Sequence, residues 1–111
     1  MAILNTSVAS SNTTIYTSSG NNAITTIIFC NISSFVPATP EVNQSLLYVY
    51  AVPSGGTVGD GNMIVNGLPV PAGETVSFDQ EKMVLANGDF IVAKTDSLIN
   101  NITATVSTLA V

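Results

Sequence analysis

The sequence predicts an all-β protein: an antiparallel β-sandwich or jelly-roll-like barrel of about eight strands. Three observations carry this expectation. Short runs of β-branched and aromatic residues recur along the chain. Gly, Pro and Asn turn signals divide them at short spacing. No stretch shows the apolar period of a helix.

The elements follow in order. Met1-Ala2-Ile3-Leu4 is apolar, and Asn5 to Asn22 is dominated by Ser, Thr and Asn. Residues 1–12 read as a disordered end, or as an arm or edge segment that orders against a neighbour, with residues 13–111 as the sandwich domain. Thr14-Ile15-Tyr16-Thr17 is the first plausible strand of that domain. Ala23 to Ser33 is rich in β-branched residues and free of Gly and Pro, a strong strand. Residues 35–44 carry Pro37 and Pro40 and read as a loop, and Leu46 to Val52 follows as a second firm strand. Residues 53–62 hold Gly55, Gly56, Gly59 and Gly61 and read as the most flexible loop. Met63-Ile64-Val65 is a short strand before Asn66-Gly67, a type I′ turn signal. Pro71-Ala72-Gly73-Glu74 is a turn that delivers the chain into Thr75-Val76-Ser77-Phe78. Asn87-Gly88 predicts a two-residue hairpin that pairs Leu85 with Phe90, Val84 with Ile91 and Met83 with Val92. Met83, Leu85, Phe90 and Val92 then share a core face. Val84 and Ile91 share the opposite face, which is apolar too and implies a covering layer or a partner chain. Ile102 to Leu109 alternates cleanly and reads as a half-exposed strand.

Composition narrows function. The chain has 111 residues, one domain's worth. Its charged fraction is 8%, against roughly 25% in average soluble domains. The hydrophobic fraction is 46% and the mean hydropathy +0.47. Such a chain leaves apolar surface uncovered as a lone monomer, so burial in an oligomer or a larger assembly is expected. No apolar run approaches the ~20 residues of a spanning helix, and the opening residues lack the basic and apolar regions of a secretory leader. The net charge of −5, with only Lys82 and Lys94 as cations, argues against nucleic-acid binding.

Enzymatic chemistry has few side chains to work with. There is no histidine and no arginine, so no triad of the usual form can be built. Asp79 and Glu81 share a strand parity and suit acid–base work formally, but a solvated hairpin rim explains them equally well. Asp60-Gly61-Asn62 offers oxygen ligands without EF-hand spacing, an ordinary turn pair. Ser54-Gly55-Gly56 precedes no phosphate-binding helix. Cys30, in an apolar run and without a basic partner, reads as a small buried hydrophobe. The Asn-X-Ser/Thr triplets at Asn5, Asn12, Asn31, Asn43 and Asn101 arise by chance in so Asn/Ser/Thr-rich a chain. Tyr48 and Tyr50 share one side of a strand and suggest a core or interface role, with carbohydrate stacking as an alternative. No catalytic residue, cofactor or metal is expected.

The order of segments resembles a recurring type of small structural protein of tailed-bacteriophage virions. The resemblance rests on Thr14-Ile15-Tyr16-Thr17, Ile27-Ile28-Phe29-Cys30-Asn31, Val49-Tyr50-Ala51-Val52-Pro53-Ser54-Gly55-Gly56, Val70-Pro71-Ala72-Gly73-Glu74-Thr75 and Met83-Val84-Leu85-Ala86-Asn87-Gly88-Asp89, and it spans nearly the whole chain. It implies a β-sandwich that decorates or cements a capsid, in contact with the major capsid protein or other virion proteins, or one placed in the neck, tail or fibre base. It implies no catalytic residues. The expectation is therefore a non-enzymatic, homo-oligomeric protein on the virion surface, with neither nucleic acid nor membrane as partner. A carbohydrate-binding adhesive module is the alternative from a different class. Ile3, Leu4, Val84 and Ile91 are the expected interface residues. Ala2 to Ser11 is the expected arm, and residues 35–44 and 53–62 the expected rim or contact loops.

Overall fold

The computed structural model describes residues 2–79, 82–96 and 100–111. It holds nine strands: β1 (Ala2–Val8), β2 (Thr13–Thr17), β3 (Asn22–Asn31), β4 (Ser45–Val52), β5 (Met63–Val70), β6 (Thr75–Phe78), β7 (Met83–Leu85), β8 (Phe90–Thr95) and β9 (Ile102–Ala110). The described residues include no α-helix, only a 3-10 turn at Asp60–Asn62. One sheet runs β1-β9-β3-β6, with β7 on the same strand β3; the other runs β2-β8-β4-β5. All pairings are antiparallel.

The order of pairing defines the topology. Strand β4 pairs with β5, β3 with β6 and β7, β2 with β8, and β1 with β9. That is one long antiparallel ribbon, with β4 and β5 at its tip, rolled so that successive rungs fall alternately in the two sheets. The rolled ribbon is a jelly roll. β6 and β7 count as one rung: they lie end to end along β3, Phe78 opposite Ile27 and Met83 opposite Ile24. Lys82 stands at this break and donates to the backbone carbonyls of Thr25 and Asp79.

Period-two alternation sends one set of side chains between the sheets. Ile24, Ile27, Phe29, Ile102, Ala104 and Val106 come from the first sheet, and Ile15, Leu47, Val49, Ile91 and Ala93 from the second; all are buried. Phe78 meets Phe29 edge-on, ring centroids 6.0 Å apart, a geometry worth about 0.5–1.5 kcal/mol beyond the area it buries. β9 alternates as expected, with Thr103, Thr105 and Ser107 half-buried on its outer side.

Two turn signals act differently from expectation. Asn87-Gly88 does not close a hairpin: β7 belongs to the first sheet and β8 to the second. A type I′ turn needs positive φ at both central residues, and only Gly88 has it, at +89°. The Ala86 carbonyl still accepts from the Asp89 N–H, but the Gly88 N–H donates to the Ser18 carbonyl, so the turn carries the chain across the sandwich. Met83 and Leu85 face the core, whereas Phe90 and Val92 face away from it on the second sheet. Ile91 is fully buried and Val84 is 68% exposed, so the two do not share a face. Asn66-Gly67 is not a turn either. Gly67, at φ +70°, is the extra residue of a β-bulge inside β5, between the pairs Leu47–Leu68 and Tyr48–Asn66.

Each end of the sandwich is tied by polar side chains. At one end the buried Asn31 and Asn101 amides both donate to the Asn43 carbonyl, at 2.8 and 2.7 Å. Asn101 also accepts from Ser45 Oγ at 2.7 Å, and Asn31 donates to the Val70 carbonyl at 2.9 Å. Asn43 sits at φ +65°, a left-handed conformation that Asn tolerates better than most residues. At the other end Ser18 Oγ donates to the Gly20 carbonyl, and the Asn87 side chain accepts from the Gly20 N–H. The Asp89 carboxylate there accepts from the N–H groups of Ser54 and Ala86.

Candidate functional site

The sandwich has two outward faces, and they differ. On the second sheet β4 and β8 place Tyr48, Tyr50, Val52, Phe90 and Val92 outward, and residues 53–62 fold back so that Val58 and Met63 pack on them. Tyr50 is 4% exposed. The Lys94 ammonium stands 5.5 Å from the Tyr48 ring centroid and 5.9 Å from that of Tyr50. Gly67 lies against the Tyr48 ring, where a Cβ would make ordinary contact at 3.6 Å, so it is the φ of +70° that calls for glycine there. These tyrosines form a small second core rather than an open stacking platform. The loop read from its glycines as the most flexible is the cover of this face.

Among the described residues the first sheet has no such cover. Its outer face is read in rows across the strands: Val84, Ala23 and Leu109; then Thr26, Ser107 and Ile3; then Ser77, Ile28, Thr105 and Asn5; then Thr75, Cys30, Thr103 and Ser7. None of these residues is charged. Val84 is 68% and Ile3 72% exposed, and Leu109 and Ile28 are exposed too. Cys30 lies on this face, half-buried rather than in the core, because Phe29 and Asn31 on either side take the inward positions. Asn5 Oδ1 accepts from Thr105 Oγ at 2.8 Å, which braces β1 against β9.

Of the expected interface residues, Ile3 and Val84 lie on this face. Leu4 has the opposite parity, yet it stays 40% exposed near the start of edge strand β1. Ile91 is corrected: it is core, because Asn87-Gly88 crosses between sheets. Ala2–Val8 pairs with β9 along its whole length and buries Val8, so this segment is an integral edge strand.

Other candidates are weaker. Ile32, Phe35, Val36 and Val42 are exposed on the loop at the asparagine-tied end, and sequence reasoning did not single them out by residue. Exposed apolar residues close around two prolines were the available signal. A cavity of about 340 Å³, lined by Ile24, Phe29, Val49, Ile64, Phe78 and Met83 among others, opens between β5 and β6–β7. All its lining side chains are apolar, so it lacks the few placed polar groups that orient a specific ligand. No three Asp, Glu, Cys or His side chains gather as a metal site among the described residues. Asp60 belongs to a turn whose geometry is held by Asn62, which accepts from the Gly59 N–H and donates to the Thr57 carbonyl. The suggested pairing of Asp79 with Glu81 involves a residue outside the described ones. No helix among the described residues is long and apolar enough to cross a membrane. Comparison with protein-family models, with curated proteins and with solved structures finds no match to this chain.

Proposed function

We propose that this chain is a non-enzymatic structural protein of a bacteriophage virion: a capsid decoration or cement protein that lays the outer face of its first sheet on the major capsid lattice. One observation carries the reading. A sheet face four strands wide carries no charge among its described strand residues and leaves Ile3, Ile28, Val84 and Leu109 open, while the opposite face is covered by the chain's own loop. Desolvating Ser, Thr and aliphatic side chains is far less costly than desolvating ions, so this face suits a protein contact.

Magnitude shapes the mechanism. Strands ~4.8 Å apart and roughly 20–30 Å long give a face of about 500 Å². A stable interface takes roughly 800 Å² from each partner. A lone copy therefore holds weakly, and firm attachment comes from several copies, or from added contacts such as the loop of Ile32 and Phe35. The jelly roll is used in capsid and lectin domains alike, so the fold by itself does not choose.

The test is binding of purified full-length protein to phage particles that lack it, with the double variant Ile28→Glu and Val84→Glu as control. Saturable binding that the variant loses while keeping its circular dichroism supports the reading. A bound copy number on the scale of the capsid lattice places the protein on the shell, and a ring-sized number places it in the neck or tail. Absence of particle binding together with capture on a glycan array would replace this reading with an adhesive one.

A further inference from the structure

The four sheet edges are unequally protected. Exposed edges invite pairing with another strand, and proteins blunt them with bulges, proline, charge or brevity. β5 carries Pro69 and the Gly67 bulge. β2 has five residues and a register shift between Thr14 and Tyr16. The β6–β7 edge is cut into four- and three-residue pieces, with Asp79 and Lys82 at the break. β1 has none of these devices: seven residues, AILNTSV, in unbroken register with β9 and without charge, glycine or proline.

The phase of its free groups follows from the sheet. The Ile32 N–H donates to the Asn101 carbonyl at 2.8 Å, and Asn31 turns its own N–H and carbonyl to Glu74 and Gly73 on the other side. Alternation along β9 then aims Thr103, Thr105 and Ser107 at β3, and Ile102, Ala104 and Val106 at β1. On β1 the partners of the latter are Val8, Thr6 and Leu4. The backbone groups of Ile3, Asn5 and Ser7 therefore point away from β9, along the open edge.

We propose that this edge pairs antiparallel with β1 of a second copy, about a twofold axis at Asn5. That register uses the whole strand: Asn5 faces Asn5, Ile3 faces Ser7, and each outward residue exchanges both its backbone hydrogen bonds. A second copy suits the edge because this arrangement brings no like charges together, although the chain carries a net charge of −5; neither β1 nor β9 holds an ion. It also joins two uncharged faces edge to edge into roughly 1,000 Å² of continuous surface, above the ~800 Å² that a stable contact takes from one partner. The pairing follows from the edge alone and does not depend on the virion reading.

Sedimentation velocity of the full-length protein, without particles, tests it. A concentration-dependent dimer is expected, lost in Ile3→Lys and in Asn5→Pro, both with unchanged circular dichroism; the Asn5 N–H points away from β9 and has no partner to lose among the described residues. Register is tested in a Cys30→Ser background. Asn5→Cys places two Cα atoms about 5.5 Å apart across the axis, within disulfide reach, whereas Ser7→Cys places them about 13 Å apart. Rapid interchain cross-linking of the first and its loss in the second support the proposal. A protein that stays monomeric into the millimolar range, a dimer indifferent to both edge variants, or equal cross-linking at Asn5 and Ser7 would overturn it.

Discussion

The two outward faces of this sandwich start from similar material and end differently. Both are built on strands rich in β-branched residues, and both place large apolar side chains away from the main core. On the second sheet the chain covers its own excess: residues 53–62 fold over Tyr50, Val52 and Val92. On the first sheet Ile3, Ile28, Val84 and Leu109 are left in the open. The high hydropathy of the sequence is thus not spread evenly over the surface. Part of it is sealed by a loop, part stands on the uncharged outer face of the first sheet, and part lies on the end loop of Ile32, Phe35, Val36 and Val42.

The largest expected effect separates a residue of the core from one on the bare face. Ile91→Ala should lower unfolding free energy by about 3 kcal/mol through lost burial and the cavity left behind. Val84→Ala should stay within about 0.5 kcal/mol. Urea titration of both variants measures this, and equal losses would break the assignment of faces. The pair also shows where sequence reading stopped. Fold class was legible because β-branched runs and Gly/Pro/Asn breaks are local signals. The partner of a strand is not local. Asn87-Gly88 suits a hairpin or a crossover, and the choice was made by the Ser18 carbonyl, far away in sequence, taking the Gly88 N–H.

Next in size is the asparagine-tied end, on which the position of the exposed 32–44 loop depends. Asn101→Ala should cost about 2 kcal/mol, because the buried Ser45 hydroxyl loses its acceptor and the Asn43 carbonyl loses one of its two amide donors. Thermal unfolding checks it. Asn31 and Asn101 had the look of chance glycosylation triplets, and their structural role was illegible because the carbonyl they share belongs to Asn43. Only a left-handed φ at that residue, which no pattern of residue types announces, brings the three together.

The cover of the second sheet can be loosened without touching the first. Asp89→Ala removes the acceptor of the Ser54 and Ala86 N–H groups, for an expected loss of about 1–2 kcal/mol. Amide exchange should quicken in residues 53–62 while β3 and β9 stay protected. Uniform quickening would mean that the cover and the main core open as one unit, and that the two faces are less independent than their packing suggests. The glycines of this loop correctly marked it as irregular. They could not reveal that its apolar Val58 and the neighbouring Met63 hold it down, because what those two pack on comes from β4 and β8.

The smallest effect concerns Lys94, the one charged residue in any described strand. Its ammonium lies over the Tyr48 and Tyr50 rings, an attraction worth about 0.5–1 kcal/mol at a partly exposed site. Lys94→Met keeps an unbranched apolar stem on those rings and removes only the charge. The expected loss is therefore no more than about 1 kcal/mol, with a change in tyrosine fluorescence and no change in self-association or particle binding. Should Lys94→Met instead create a new self-association, the charge would be guarding the second face against contacts that the first face is left free to make. That result would sharpen the comparison: a single cation, placed on the face the chain covers for itself, would then direct assembly to the other one.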